Sequence, residues 1–370
     1  MTARVTTLEL FFDLVFVFAI TQVAHLVGHA HGALDILRAL LVLTVVWWMY
    51  GGYAWLTNNV ATDRLAHRLL LLVAMAAFLV VAVRIPLVAG RHGAAFGMAY
   101  LAIVLVHAAL FTRAPNASAR AILSVLPFNL VLAALIVMSG FVAPAWNWTP
   151  WAGAALAIVA TTAARRERGF SVNPAHFAER HGLVVLIALG ESVVAIGTGA
   201  AGQPLRPSLL TAMGFGIALA ACIWWTYFDS DDTRGEQAMA RASGPERATM
   251  AIRAYYYAHL VMIAGIVTSA AGMAQVIADT SRHAPPATAW LLSSGVAVYL
   301  LGGAAFRSAL RIAAARARLA SAALVLATGP IAARAGSLAQ LATVVAILVV
   351  TLLFEHRLDV TAVRPRPAYD

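Results

Sequence analysis

Glu9 and Asp13 stand four residues apart inside LELFFDLVFVFAITQVAHLV (8–27), a stretch otherwise suited to a lipid bilayer. That spacing puts both carboxylates on one face of a helix. An ionised acid within the membrane is costly, so the face that carries it turns toward protein or water. Two like charges this close favour a shared proton or a bound cation. The plainer reading seats both acids near the membrane rim, paired with Arg68, Arg180 or Arg253. Asp13 lies one turn deeper than Glu9, and Thr21 and Gln22 add neutral oxygens further along the same segment.

A second intramembrane acid, Glu191, falls in ALGESVVAIG (188–197) beside Ser192, with Gly190, Gly197 and Gly199 allowing close helix approach. It reads either as a charge carrier or as a hydrogen-bonded structural group. Tyr255 and His259 are spaced i, i+4, and His67 occupies the corresponding place in an earlier segment. A histidine near Asp13 or Glu191 would relay protons, and a packing histidine is the alternative. His25, His29 and His31 with Asp35 raise a metal site weakly, because the segment turns through Gly28 and no cysteine assists. DSDD (229–232) reads as a cation-gathering mouth or as a solvated salt-bridge patch, and Arg84 as a snorkelling side chain. The paired tryptophans Trp47, Trp48, Trp224 and Trp225 read as an aromatic belt, with pore lining as the alternative. No phosphate loop, dinucleotide fingerprint, HExxH or GxSxG occurs in its required context, so no cofactor, no resident metal and no catalytic residue is expected.

The elements that carry these groups are set by composition. The chain is 62% hydrophobic and 11% charged, with a mean hydropathy of +0.82. A soluble chain cannot bury so much apolar surface, which points to a polytopic membrane protein. Twelve apolar stretches are expected to span: 8–28, 34–56, 68–89, 95–112, 121–143, 149–164, 182–201, 208–229, 254–277, 288–306, 318–333 and 337–355. The sixth and eleventh are short. The first is read as a retained helix and not as a cleaved leader. The single cysteine, Cys222, excludes an internal disulfide and reads as a buried thiol.

The net charge of +10 comes from 26 basic residues, all arginine. Twenty lie at the termini and even-numbered loops, four (Arg91, Arg206, Arg282, Arg334) in odd-numbered loops, and Arg38 and Arg84 near helix ends. The positive-inside rule therefore places both termini in the cytoplasm and explains the basic balance without nucleic acid.

The chain also repeats weakly. WWMY (47–50) matches WWTY (224–227), AHRLLLLVA (66–74) matches AHLVMIAGI (258–266), and Glu9 matches Glu179. Each match joins one helix to the helix six later, which implies two parallel six-helix repeats, 1–170 and 171–370.

ELFFDLVFVFAITQVAHL (9–26), HFAERHGLVVLIALGESVVAIG (176–197), WWTYFD (224–229), YYYAHLVMIAGIVTSAAG (255–272) and VYLLGGAAFR (298–307) together resemble the bacterial low temperature requirement A (LtrA) family. The resemblance covers nearly the whole chain and implies a multipass membrane protein. The family's name comes from growth in the cold and implies no biochemical activity. FFDLVFVFAIT also resembles the first-helix stretch of the FSD-motif potassium channels, with Phe12 where their serine stands and no such motif in the seventh segment.

The expected protein is an all-α transmembrane bundle whose partners are the bilayer and a small ion or solute, with a homo-oligomer compatible. The expected function is transport or conduction of a small cation or proton-coupled solute between the halves. Asp13 and Glu191 would carry or coordinate charge, Glu9, Tyr255 and His259 would tune them, and Ser192, Thr21 and Gln22 would line the path. The rival is a membrane-embedded enzyme or sensor acting on a lipid or envelope component, with Ser192 beside Glu191 as its candidate pair.

Overall fold

The structure, a computed structural model, describes residues 5–59, 64–88, 93–112, 116–164, 172–280 and 286–363. Every regular element among them is helical. In chain order these are α1 (Thr7–Gly28), α2 (Ala33–Asn59), α3 (Leu65–Arg84), α4 (Gly93–Phe111), α5 (Asn116–Ser139), α6 (Thr149–Ala164), α7 (Pro174–Ala200), α8 (Pro207–Phe228) and α9 (Asp231–Arg241), followed by α10 (Gly244–Ala278), α11 (Pro286–Ala309), α12 (Ala315–Leu326), α13 (Gly329–Ala335) and α14 (Ser337–Val363). Nine spans among the described residues are long and apolar enough to cross a bilayer, and the protein is a multipass membrane protein. Of the other three expected stretches, two are α5, which carries Pro127 inside it, and the sixteen-residue α6. The eleventh is broken into α12 and α13, with Pro330 in the first turn of α13, where a proline ends one helix and starts another.

The chain divides into two compact units, unit one comprising 1–188 and 236–256, and unit two comprising 189–235 and 257–370. Within unit one, α1 shows the polarity that a bilayer demands. Phe11, Leu14 and Phe18 are exposed, whereas Glu9, Asp13, Phe12, Phe16 and Ile20 are buried. Hydrocarbon accepts the first set without penalty, and only protein can satisfy the second. The start of α1 is fixed by a capping box. Thr6 Oγ1 accepts from the Glu9 backbone N–H, and the Glu9 carboxylate accepts from the Thr6 backbone N–H at 2.7 Å. Behind α1 an aromatic stack fills the core, with Phe16 on Tyr50 at 4.2 Å, Phe12 on Tyr53 at 5.0 Å and Trp47 on Tyr50 at 5.2 Å.

Unit two is built around the close pair of α11 and the part of α10 from Tyr257 onward. A side chain at Gly295 would meet the Ser269 backbone at 2.2 Å, and one at Gly265 would meet Tyr299 at 2.3 Å, so these glycines are what permit the approach. α10 contains a π-helical segment at Ala251–Ala258. Each unit contains one tyrosine that donates to the backbone just ahead of its W-W-x-Y: Tyr100 to the Val45 carbonyl at 3.2 Å in unit one, and Tyr299 to the Ile223 carbonyl at 2.9 Å in unit two.

Candidate functional site

In unit one Asp13 is an acid with no exposed surface. Its Oδ1 accepts from Arg180 Nη2 of α7 at 3.1 Å. The same guanidinium lies 3.6 Å from Glu9 Oε1 and donates to the Thr57 hydroxyl and to the Tyr53 carbonyl. It also sits over the Phe12 and Tyr50 rings, at 5.7 and 5.6 Å from their centroids. Arg180 is 1% exposed, so it is held by ions, hydroxyl, carbonyl and π faces with almost no water contact. Of the three arginines the sequence offered, Arg68 and Arg253 are exposed, and Arg180 is the partner.

His176 completes the cluster. Its Nε2 lies 3.2 Å from Glu9 Oε1, and its Nδ1 lies 3.3 Å from Asn58 Nδ2. The Asn173 backbone N–H donates to Asn58 Oδ1, which makes Asn58 Nδ2 the donor end of that amide. His176 Nδ1 is therefore an acceptor, and the ring proton sits on Nε2, aimed at Glu9. A neutral His176 leaves, among the described residues, two carboxylates against one guanidinium. The second oxygen of Asp13, Oδ2, has no hydrogen-bond partner among the described residues, and the buried Tyr50 hydroxyl lies beside it. A buried negative charge in excess, with a bare oxygen, is a place for a proton or a cation.

Unit two contains a second buried cluster of different stoichiometry. Arg307 of α11 and Arg318 of α12 clamp Asp231 of α9 and Glu355 of α14. Arg307 Nε reaches both Asp231 oxygens at 3.0 Å, and its Nη2 reaches Glu355 Oε2 at 2.8 Å. Arg318 Nη1 reaches Asp231 Oδ2 at 2.8 Å, its Nε reaches Glu355 Oε1 at 3.1 Å, and its Nη2 donates to the Thr226 carbonyl at 2.6 Å. The turn before α12 holds Arg311 and Ala314 at φ 59° and 65° and brings the Ala313 carbonyl onto Arg307 Nη1 at 3.3 Å. Two acids meet two guanidiniums, so this cluster balances internally. It overturns both readings of DSDD for Asp231, which is fully buried, while Asp229 is exposed.

The remaining candidates fall elsewhere. Thr21 and Gln22 are half-buried, about 12 Å further along α1 than Asp13 at ~1.5 Å per residue. Glu191 is half-buried and Ser192 buried, both in unit two. Of the glycines around them, Gly199 packs against the Ala274 carbonyl, whereas Gly190 and Gly197 face open space. Tyr255 packs on Phe177 and His181 in unit one, whereas His259 hydrogen-bonds the Tyr227 hydroxyl at 3.0 Å in unit two. Glu179, matched to Glu9 by sequence, is exposed and accepts from the Val5 N–H. Trp224 and Trp225 are exposed as belt residues are, but Trp47 is buried and donates to the Tyr256 carbonyl, so the belt reading fails for it. His29 Nδ1 bonds the His25 carbonyl at 2.8 Å, and among the described residues no three metal-ligating side chains converge. Cys222 is buried, as expected.

Sequence reasoning treated Arg180 only as one of three partners and missed His176, Arg307, Arg318 and Glu355 as site residues. Three of the twenty arginines counted toward topology, Arg180, Arg307 and Arg318, are in fact buried ion-pair partners. Arginines 4, 91, 113, 165, 166, 168, 282, 364 and 366 lie outside the described residues, as does the side chain of Arg120.

Residues 4–353 match the profile of the family described as bacterial low temperature requirement A protein (LtrA). Among curated proteins, the chain is similar to an uncharacterised protein of Rhizobium meliloti, RA0937, at 26% identity over 277 residues, which is 71% of this chain and 67% of the relative.

Proposed function

We propose, from the premise that the chain belongs to the bacterial low temperature requirement A family, that it is a transporter or channel moving protons, or a small cation or solute coupled to them. The carrying observation is the unequal charge of the unit-one cluster among the described residues: there Glu9 and Asp13 face the one guanidinium of Arg180, with His176 neutral and Asp13 Oδ2 without a hydrogen-bond partner. Burying an uncompensated charge is costly, so a bound proton or cation is favoured there, and an opening of the cluster would release it. Glu9 is held by its capping box and by His176, which leaves Asp13 as the group that exchanges charge. Glu191 is the second candidate, as a half-buried acid on α7.

The two tyrosine-to-carbonyl bonds placed alike ahead of W-W-x-Y support an origin in two parallel six-helix repeats. The arginine asymmetry supports cytoplasmic termini in a bacterial inner membrane. Proteoliposomes loaded with a pH-sensitive dye test the reading. Asp13→Asn is expected to abolish proton flux and Glu191→Gln to reduce it. Wild-type flux in both variants removes these residues from the mechanism.

A further inference from the structure

We infer that a cleft in unit one, lined by Trp48, Gly52, Trp55, His107, Asn129 and Tyr256, binds a neutral amphiphile through a hydroxyl group on an apolar body. The cleft has a cavity of about 100 Å³ that opens outward, room for the hydroxyl end of a ligand whose body extends from it; its walls are largely apolar, and no charged side chain lines it among the described residues. A charged ligand would lose its hydration there without a counter-charge. An apolar body is suited to the tryptophan, tyrosine and phenylalanine surfaces.

The polar recognition is set by two hydrogen bonds. His107 Nε2 lies 2.9 Å from the Gly52 carbonyl. A carbonyl only accepts, so the ring proton is on Nε2 and Nδ1 carries a lone pair. That Nδ1 has no partner among the described residues, on a side chain that is 2% exposed. Asn129 Oδ1 accepts from Trp48 Nε1 at 2.8 Å, which leaves its Nδ2 as the donor end. The cleft thus offers one acceptor and one donor. A hydroxyl satisfies both. An ether oxygen answers only the donor and leaves the buried Nδ1 unpaired, which is what makes discrimination strong.

The room for this arrangement comes from consecutive glycines. A side chain at Gly52 would lie 3.2 Å from His107 Nε2, and one at Gly51 would lie 3.2 Å from the Tyr256 ring. The lining residues come from the C-terminal parts of α2 and α4, the middle of α5, the last turn of α6 and the early turns of α10, so they gather toward one membrane face. Lipid hydroxyls reside at that depth, with the apolar chain directed inward. The inference does not rest on the transport reading, because none of the cleft residues belongs to the charge cluster.

The test is equilibrium binding of radiolabelled farnesol, a prenyl alcohol, and of farnesyl methyl ether to the full chain in lipid nanodiscs. Farnesol is expected to bind saturably and about tenfold more tightly than the ether, the scale of one hydrogen bond. His107→Phe is expected to erase the difference while preserving ether binding. Asn129→Leu, which keeps His107 in place, is expected to weaken both ligands and retain part of the preference. Equal binding of alcohol and ether to the wild type overturns the inference, as does a preference that survives His107→Phe or an absence of saturable binding.

Discussion

Asp13 and Arg180, 167 residues apart in sequence, meet at 3.1 Å with both side chains at or below 1% exposure. The contact ties α1 to the first turns of α7 within unit one and fixes where the excess negative charge of the cluster resides. Glu9 accepts from the Thr6 backbone and faces His176, so its position follows from local structure. Asp13 has no such local duty, and one of its oxygens bonds to nothing among the described residues.

The first prediction concerns that pairing. Arg180→Gln leaves two carboxylates buried without their cation and is expected to destabilise the fold by about 3–5 kcal/mol, the range for breaking a buried pair. Adding Asp13→Asn to Arg180→Gln is expected to recover part of the loss, because the orphaned charge is then removed. Unfolding by SDS titration in mixed micelles measures both. A double variant less stable than Arg180→Gln alone would contradict the charge-imbalance argument.

Glu9→Gln separates capping from charge. Glutamine keeps the reciprocal bonds of the capping box through the oxygen at the Oε2 position, which His176 Nε2 also approaches at 3.4 Å, but turns its amide NH2 toward the Arg180 guanidinium, so its cost is expected to stay below that of Glu9→Ala. Glu9→Ala loses the cap and is expected to cost about 1–2 kcal/mol. Equal effects of the two substitutions would mean that the charge of Glu9, and not its hydrogen bonds, holds the start of α1.

The unit-two clamp is expected to behave as structure. Arg318→Met leaves Asp231 and Glu355 to share the one guanidinium of Arg307 and is expected to cost about 3–5 kcal/mol, while flux per folded molecule stays at the wild-type level. A stable Arg318→Met protein with altered flux would place the clamp in the transport path.

Ala314 occupies the left-handed region at φ 65° without the conformational freedom of glycine. Ala314→Gly is expected to stabilise the protein by about 1 kcal/mol, less the entropy glycine adds to the unfolded chain. Ala314→Val is expected to destabilise it, since a β-branched side chain suits this conformation poorly.

Much of the fold was legible because a bilayer leaves few options. Long apolar runs must be helices, and α1 to α4 fall close to their expected ranges. Asp13 was legible for the same reason, since an acid flanked by Phe12 and Leu14 has nowhere to go but inward. The arginines were not. Arg180, Arg307 and Arg318 sit close to loops in sequence, where a topology argument absorbs them, and their burial depends on contacts from residues 37 to 167 positions away. Tyr255 and His259 have different neighbours, Phe177 and His181 for the first and Tyr227 for the second, and these long-range partners are not written in the i, i+4 spacing. The repeat of W-W-x-Y was real in sequence but unequal in environment: Trp47 is enclosed by Phe16, Tyr50 and Tyr256, whereas Trp224 and Trp225 have exposed faces.

Proton flux tests the central claim most directly. Wild-type and Asp13→Asn proteins are reconstituted at equal folded amounts into dye-loaded vesicles, and a membrane potential is imposed with potassium and valinomycin. The account predicts wild-type acidification well above protein-free vesicles and an Asp13→Asn rate equal to the protein-free rate. An Asp13→Asn rate equal to the wild type, or a wild-type rate no greater than the protein-free leak, would contradict it.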